Sequence, residues 1–178
     1  MGIFDMFKKK EEEKTSIDIE SFMAALMQMV INEVGYMEPL LRMNKLNCEF
    51  ENLIASTFAY YFSVWLAYIE KDAPESYNKI KEKMEYAANG IITDTCNGNN
   101  VNKDKYIEIF NVNFDNAIAE ARTSISDETF YDKGITDKYL ISMIGMQDIS
   151  NIKTQVQVRI FQYWVKAASE GIKKTKFI

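Results

Sequence analysis

The stretch LIASTFAYYFSVWLAYI, residues 53–69, runs for seventeen residues without a charged side chain and is flanked by Glu51 and Glu70. A helix that is apolar on all sides belongs either in a membrane or inside a helical bundle. A membrane-spanning helix needs about 20 apolar residues. Tyr60 and Tyr61 fall near the middle of the run, where lipid would offer their hydroxyls no partner. We therefore predict a buried bundle helix, with a membrane span as the alternative.

The composition of the chain favours long helices. Only two prolines and seven glycines interrupt 178 residues, and a β-sandwich or barrel needs more turns than these residues provide. Eleven Phe, ten Tyr and two Trp supply ample material for a core. The predicted fold is all-α: a single-domain bundle of five or six helices with a central, fully buried helix. Residues 15–178 form the helical domain, and residues 1–14 are expected to be a flexible or amphipathic segment.

Helix boundaries follow from apolar residues at three- and four-residue spacing and from capping signals. Thr15 or Ser16 is expected to cap the first helix, and Gly35 to stop it. Residues 96–102, rich in Asn and Gly, are expected to form a loop. Asn47 and Thr136 are further expected caps. The predicted helices are 17–34, 47–71, a helix beginning at Pro74, 103–124, a short helix after Thr136, and a last helix from Asp148 or Ser150 almost to the end. Residues 37–46 are expected to form either a short helix that Pro39 opens or a structured connection.

The last helix is predicted to bury more than half of its circumference. Two apolar rows run along it. They consist of Ile152, Val156, Ile160, Tyr163 and Ala167, and of Val158, Phe161, Val165, Ala168 and Ile172.

Charge and residue usage exclude several classes of function. The net charge is −5, and eighteen Lys stand against three Arg, so no nucleic-acid partner is expected. The chain has no histidine, which removes the commonest general base and a usual zinc ligand. Cys48 and Cys96 are isolated, so we expect half-buried or buried thiols in a reducing cytoplasm.

Acidic residues give no complete metal site. Glu82 and Glu85 share one helix face, but Mg²⁺ needs more oxygen ligands than one such pair offers. Glu128 and Asp132 are four residues apart in a predicted connection. No catalytic, cofactor-binding or metal-binding residues are therefore assigned, and the chain is not predicted to be an enzyme.

Two groups of residues are candidate contact sites. The first is an apolar cluster backed by lysines, which suits a partner's groove or a membrane surface: Ile3, Phe4, Met6, Phe7, Lys8, Lys9 and Lys10. The second could line a pocket for an apolar or planar ligand, although core packing explains it as well: Tyr60, Tyr61, Trp65 and Trp164.

Three functions remain open at this point. The leading hypothesis is a non-enzymatic helical interaction protein, such as an adaptor, an inhibitor or an immunity-type protein. It would bind another protein through a helical face or through the N-terminal segment, and a homodimer is also considered. The alternative is a binding module for a small apolar ligand in the bundle core. The third hypothesis is a peripheral membrane protein anchored by residues 1–10.

Overall fold

The structure, a computed structural model, describes residues 14–99, 102–126 and 134–178. The predicted all-α bundle is confirmed, and the described residues form six helices when 150–173 is counted as one continuous helix. A 3₁₀ turn at Pro74–Ser76 leads into the third helix. The elements are α1 (Ile19–Met43), α2 (Phe50–Asp72), α3 (Tyr77–Asn99), α4 (Lys103–Ser126), α5 (Ile135–Ile144), α6 (Ser150–Arg159), a π-helical segment (Ile160–Val165) and α7 (Lys166–Lys173). We call α6, the π segment and α7 together the C-terminal helix.

Helix α2 carries the uncharged run, and every residue from 53 to 69 is buried. It packs against α1, α3, α4, α5 and α7, most extensively against α4. Two of its buried hydroxyls find partners inside the protein: the Thr57 hydroxyl donates to Leu53 O at 2.7 Å, and the Ser63 hydroxyl donates to Tyr60 O at 2.7 Å. These bonds offset the cost of burying the hydroxyls. In the described parts of the chain, no helix has the length and apolar character that crossing a membrane requires.

Two short strands precede and follow the helices. Thr15–Ile17 (β1) pairs in parallel with Thr175–Phe177 (β2). The predicted capping by Thr15 or Ser16 is therefore wrong, because their backbone belongs to a sheet with a segment 160 residues away. Asp18 caps α1 instead, where its carboxylate accepts a hydrogen bond from the Ser21 N–H at 2.8 Å.

Helix α1 also runs past its predicted end. It continues through Gly35 and Pro39 to Met43, so neither expectation for 37–46, a separate short helix or a structured connection, is correct as far as Met43. Proline inside a helix costs about 3 kcal/mol because it cannot donate to the carbonyl four residues earlier. Leu40 and Leu41 are buried in the core at this end of α1, and their burial offsets that cost.

Three further boundaries differ from the prediction. Glu49, rather than Asn47, precedes the first turn of α2, without a side-chain capping bond. Gly134, rather than Thr136, precedes α5, and Thr136 is buried. The expected loop 96–102 is helical as far as Asn99. The last helix begins at Ser150, as predicted.

The C-terminal helix buries one face rather than most of its circumference. Val158 is 47% exposed and Tyr163 is 56% exposed, so their predicted place in the core is wrong. Each four-residue step advances about 40° around an α-helix, and the wider turns of a π segment reduce this rotation. A single buried row can therefore follow the whole helix. The row consists of Ile152, Val156, Ile160, Trp164, Ala168 and Ile172.

Candidate functional site

A cluster centred on Arg159 joins the C-terminal helix to α1. The Arg159 Nε donates to the Glu33 carboxylate at 2.5 Å. The Glu33 side chain is only 4% exposed, whereas that of Arg159 is 21% exposed. The guanidinium carbon lies 3.6 Å from the ring centroid of Tyr36 and 4.7 Å from that of Tyr163. Arg159 is thus held by one ion pair and two cation–π contacts.

The same cluster borders an open groove that runs along the C-terminal helix beside Tyr36 of α1. The Tyr36 hydroxyl accepts a hydrogen bond from Gln155 Nε2 at 2.7 Å, which fixes the ring beside Arg159. The groove has a volume of about 520 Å³, and Val158 and Tyr163 contribute its exposed apolar surface. The π segment begins directly after Arg159, and π turns occur frequently at functional sites.

The exposed side of α1 next to this groove carries no charge. From Ser21 to Met37 the chain has one charged residue, Glu33, which is buried. Three- and four-residue spacing places a set of side chains on the flank that leads from Tyr36 along the helix. Apart from half-buried Tyr36, all are exposed: Ala25, Gln28, Met29, Asn32, Gly35 and Tyr36.

The C-terminal helix continues this surface. Between Thr154 and Val165 its only charged residue is Arg159, which pairs with Glu33. The two stretches contain 29 residues, and at the chain's overall charged share of 26% roughly seven charged residues are expected where two occur. We call the α1 set above, together with Gln155, Val158, Gln162 and Tyr163, the uncharged surface.

The aromatic residues considered for a ligand pocket lie in the core. Tyr60, Tyr61, Trp65 and Trp164 are all buried. The Tyr61 and Trp164 ring centroids are 5.1 Å apart, and Tyr139 contacts Tyr60 at 5.6 Å and Trp164 at 5.0 Å. Burial raises the pKa of Tyr60 and of Tyr61 to about 12 and that of Tyr139 further. These rings therefore make direct aromatic packing contacts, and their hydroxyls stay protonated at neutral pH.

Cys48 is the expected half-buried thiol. It lines a second depression, of about 380 Å³, beside Arg42 and Lys45. The thiol donates to Met143 O at 3.3 Å, and desolvation raises its pKa to about 11. A thiol protonated at neutral pH is a weak nucleophile. The side chain of Cys96 lies outside the described residues.

The acidic candidates make no metal cluster in the described residues. Glu82 is exposed, and Glu85 pairs with Lys81 across one helical turn at 3.4 Å. Across residues 14–99, 102–126 and 134–178, no three potential metal-binding side chains come together. The other predicted candidates, the cluster of residues 3–10 and the pair Glu128 and Asp132, lie outside the described residues.

Comparison with protein families, curated proteins and solved structures finds no match to the chain.

Sequence reasoning missed the uncharged surface, although its signal is visible in the sequence. The long charge-free intervals on either side of Glu33 and of Arg159 mark two exposed helix faces with unusual composition. The same spacing rule predicts core positions for Val158 and Tyr163, since apolar residues at helical spacing usually are core. Only the packing of the two helices reveals that these residues reach the surface.

Proposed function

We propose that this chain is a non-enzymatic interaction protein that binds another protein through the uncharged surface. Adaptor, inhibitor and immunity-type proteins work in this way, by covering a partner rather than by transforming a substrate. A cytoplasmic location, which the isolated cysteines favour, is part of the proposal.

The observation that carries the proposal is the depletion of charge on two adjacent exposed helix faces. Protein interfaces are depleted of charged residues in their centre and enriched in Tyr, Met and Arg. The uncharged surface offers exposed Tyr163 and Met29, with Arg159 between two tyrosine rings. Residues of these types dominate binding energy when they are held in place before binding. The hydrogen bond from Gln155 holds the Tyr36 ring in place, and the ion pair with Glu33 holds Arg159 in place.

Site-specific photo-crosslinking in the native host tests the proposal. A photoreactive phenylalanine derivative would replace Tyr163 in one version of the full chain and Tyr86 in another. Tyr86 is a matched control because it lies on α3 and is 78% exposed, more than the 56% of Tyr163. We expect protein adducts from position 163 and few from position 86.

A second pair of variants makes the result specific. Val158→Lys places a charge on the uncharged surface and should remove the adducts formed at position 163. Val112→Lys makes the same change on α4, where Val112 is 59% exposed, and should leave them intact. Equal adduct yields at positions 163 and 86, or equal effects of the two lysine variants, would contradict the proposal.

A further inference from the structure

We infer that the partner bound by the uncharged surface is a second copy of this chain, in a symmetric and reversible dimer. This inference rests on the proposed function and adds the identity of the partner.

The charge of the chain favours a second copy as the partner. Each copy carries a net charge of −5, so two copies repel one another over most of their surfaces. The uncharged surface is where this repulsion is weakest, because its two charges, on Glu33 and Arg159, already pair within one copy. A basic partner would be recognised by exposed carboxylates, and this surface presents none. A neutral face on an acidic protein therefore suits another copy with the same neutral face.

The polar side chains of the uncharged surface suit a two-fold symmetric contact. In a two-fold symmetric dimer, a residue near the axis meets the same residue of the other copy. A carboxylate or an ammonium group would then face its own charge. An amide has both a donor and an acceptor and can pair with itself. The exposed polar groups of the uncharged surface are the Tyr163 hydroxyl, which can also both donate and accept, and four amides: Gln28, Asn32, Gln155 and Gln162.

The shape of the uncharged surface allows close contact. Gly35 has no side chain and Ala25 has a small one, so this flank of α1 projects little, and a side chain added at Gly35 would meet nothing within 4 Å. A facing helix can therefore approach closely. Taking 1.5 Å per residue and about 10 Å per helix, α1 from 25 to 36 and the C-terminal helix from 155 to 163 outline about 300 Å². Weak and transient interfaces bury below about 600 Å² per partner, so the dimer should be reversible.

Sedimentation velocity of the purified full chain tests the inference between about 1 and about 200 μM, the range in which a micromolar dimer dissociates. We expect the mass to rise with concentration from 20.6 kDa toward twice that value. Added salt should strengthen association because it screens the repulsion between the two acidic copies.

Paired variants locate the interface. Gln28→Glu with Asn32→Asp adds two negative charges to the uncharged surface and should raise the dissociation constant at least about tenfold. Asn111→Asp with Asn116→Asp makes the same charge change at exposed positions of α4 and should change it less than about threefold. Circular dichroism and the unfolding midpoint of both double variants verify that they fold.

A mixing experiment is specific for self-association. Gln28→Glu chains and Gln28→Lys chains should each associate more weakly than the native chain, and an equimolar mixture should recover association, because opposite charges then meet across the interface. A native chain that stays at 20.6 kDa throughout, or equal weakening by the surface and control double variants, would overturn the inference.

The failure of the inference can be told apart from that of the proposed function. A monomeric chain that still forms adducts with a different protein at position 163 would overturn only the second copy as partner. A monomeric chain without adducts at that position would overturn both.

Discussion

Replacing Arg159 by methionine should destabilise the protein strongly, because it leaves the Glu33 carboxylate buried without its partner. The Glu33 side chain is 4% exposed, so water cannot replace the lost hydrogen bond. Breaking a buried ion pair in this way costs about 3–5 kcal/mol. For a chain of this length, 1 kcal/mol shifts the melting temperature by about 2–4 °C, so Arg159→Met should lower it by about 6–20 °C.

The loss of stability should depend on which member of the ion pair, Glu33 or Arg159, is replaced. Glu33→Leu leaves the Arg159 side chain, which is 21% exposed and can turn toward water, so its expected cost is about 1–2 kcal/mol. The double variant Glu33→Leu with Arg159→Met puts two apolar groups in place of the pair. It should be more stable than Arg159→Met alone, because no charge is then left buried.

Chemical unfolding at a few micromolar protein measures these free energies and limits any contribution from association. Lys166→Met is a matched control on the same helix, since Lys166 and Glu170 form a pair in which both side chains are 60% exposed. It should cost less than about 1 kcal/mol. If Arg159→Met costs no more than this control, or if the double variant shows the sum of the single costs, the reasoning about the buried carboxylate is refuted.

Three further predictions concern the core, α1 and alkaline pH. Thr57→Val should cost about 1–3 kcal/mol, because it leaves the buried Tyr139 hydroxyl without its 2.9 Å partner. Pro39→Ala should stabilise the protein by about 1–2 kcal/mol, because an N–H at this position can donate to the Gly35 carbonyl. The pKa of the Cys48 thiol is near 9 in the unfolded chain and about 11 in the folded protein. Its contribution to the free energy of unfolding is therefore present below pH 9 and is lost as the pH rises to about 11.

Unfolding free energies also test these three predictions. Additive costs for Thr57→Val and Tyr139→Phe in the double variant would contradict a shared hydrogen bond. An unchanged or lower stability of Pro39→Ala would mean that the geometry near the proline is needed for packing. A Cys48→Ala variant that loses as much stability between pH 9 and pH 11 as the native chain would show that other groups cause the loss.

Local sequence patterns predict a helix boundary correctly where the residues next to that boundary decide its position. The start of α4 at Lys103 and the restart at Ser150 follow from spacing and capping signals. The end of α1 does not, because Gly35 and Pro39 both favour a stop locally, whereas burial of the following leucines favours continuation. Burial against distant helices contributes more free energy than the propensity of single residues.

The candidate site also combines features that are visible in the sequence with contacts that only the tertiary structure reveals. The lone Glu33 and the lone Arg159 in long charge-free intervals are visible in the sequence, but 126 residues separate them. No periodicity predicts that they pair, or that Tyr36 and Tyr163 lie on either side of the guanidinium. The exposure of Val158 and Tyr163 likewise depends on which helices cover the C-terminal helix.

The sequence by itself determined that this chain forms a helical bundle, because scarce turn residues and an uncharged run with central tyrosines allow few other solutions. The tertiary structure decided which apolar side chains remain at the surface and joined β1 to β2 across the length of the chain. The physical reason is that helix formation depends on neighbours within a few residues, whereas exposure and ion pairing depend on contacts between segments that the order of residues does not specify.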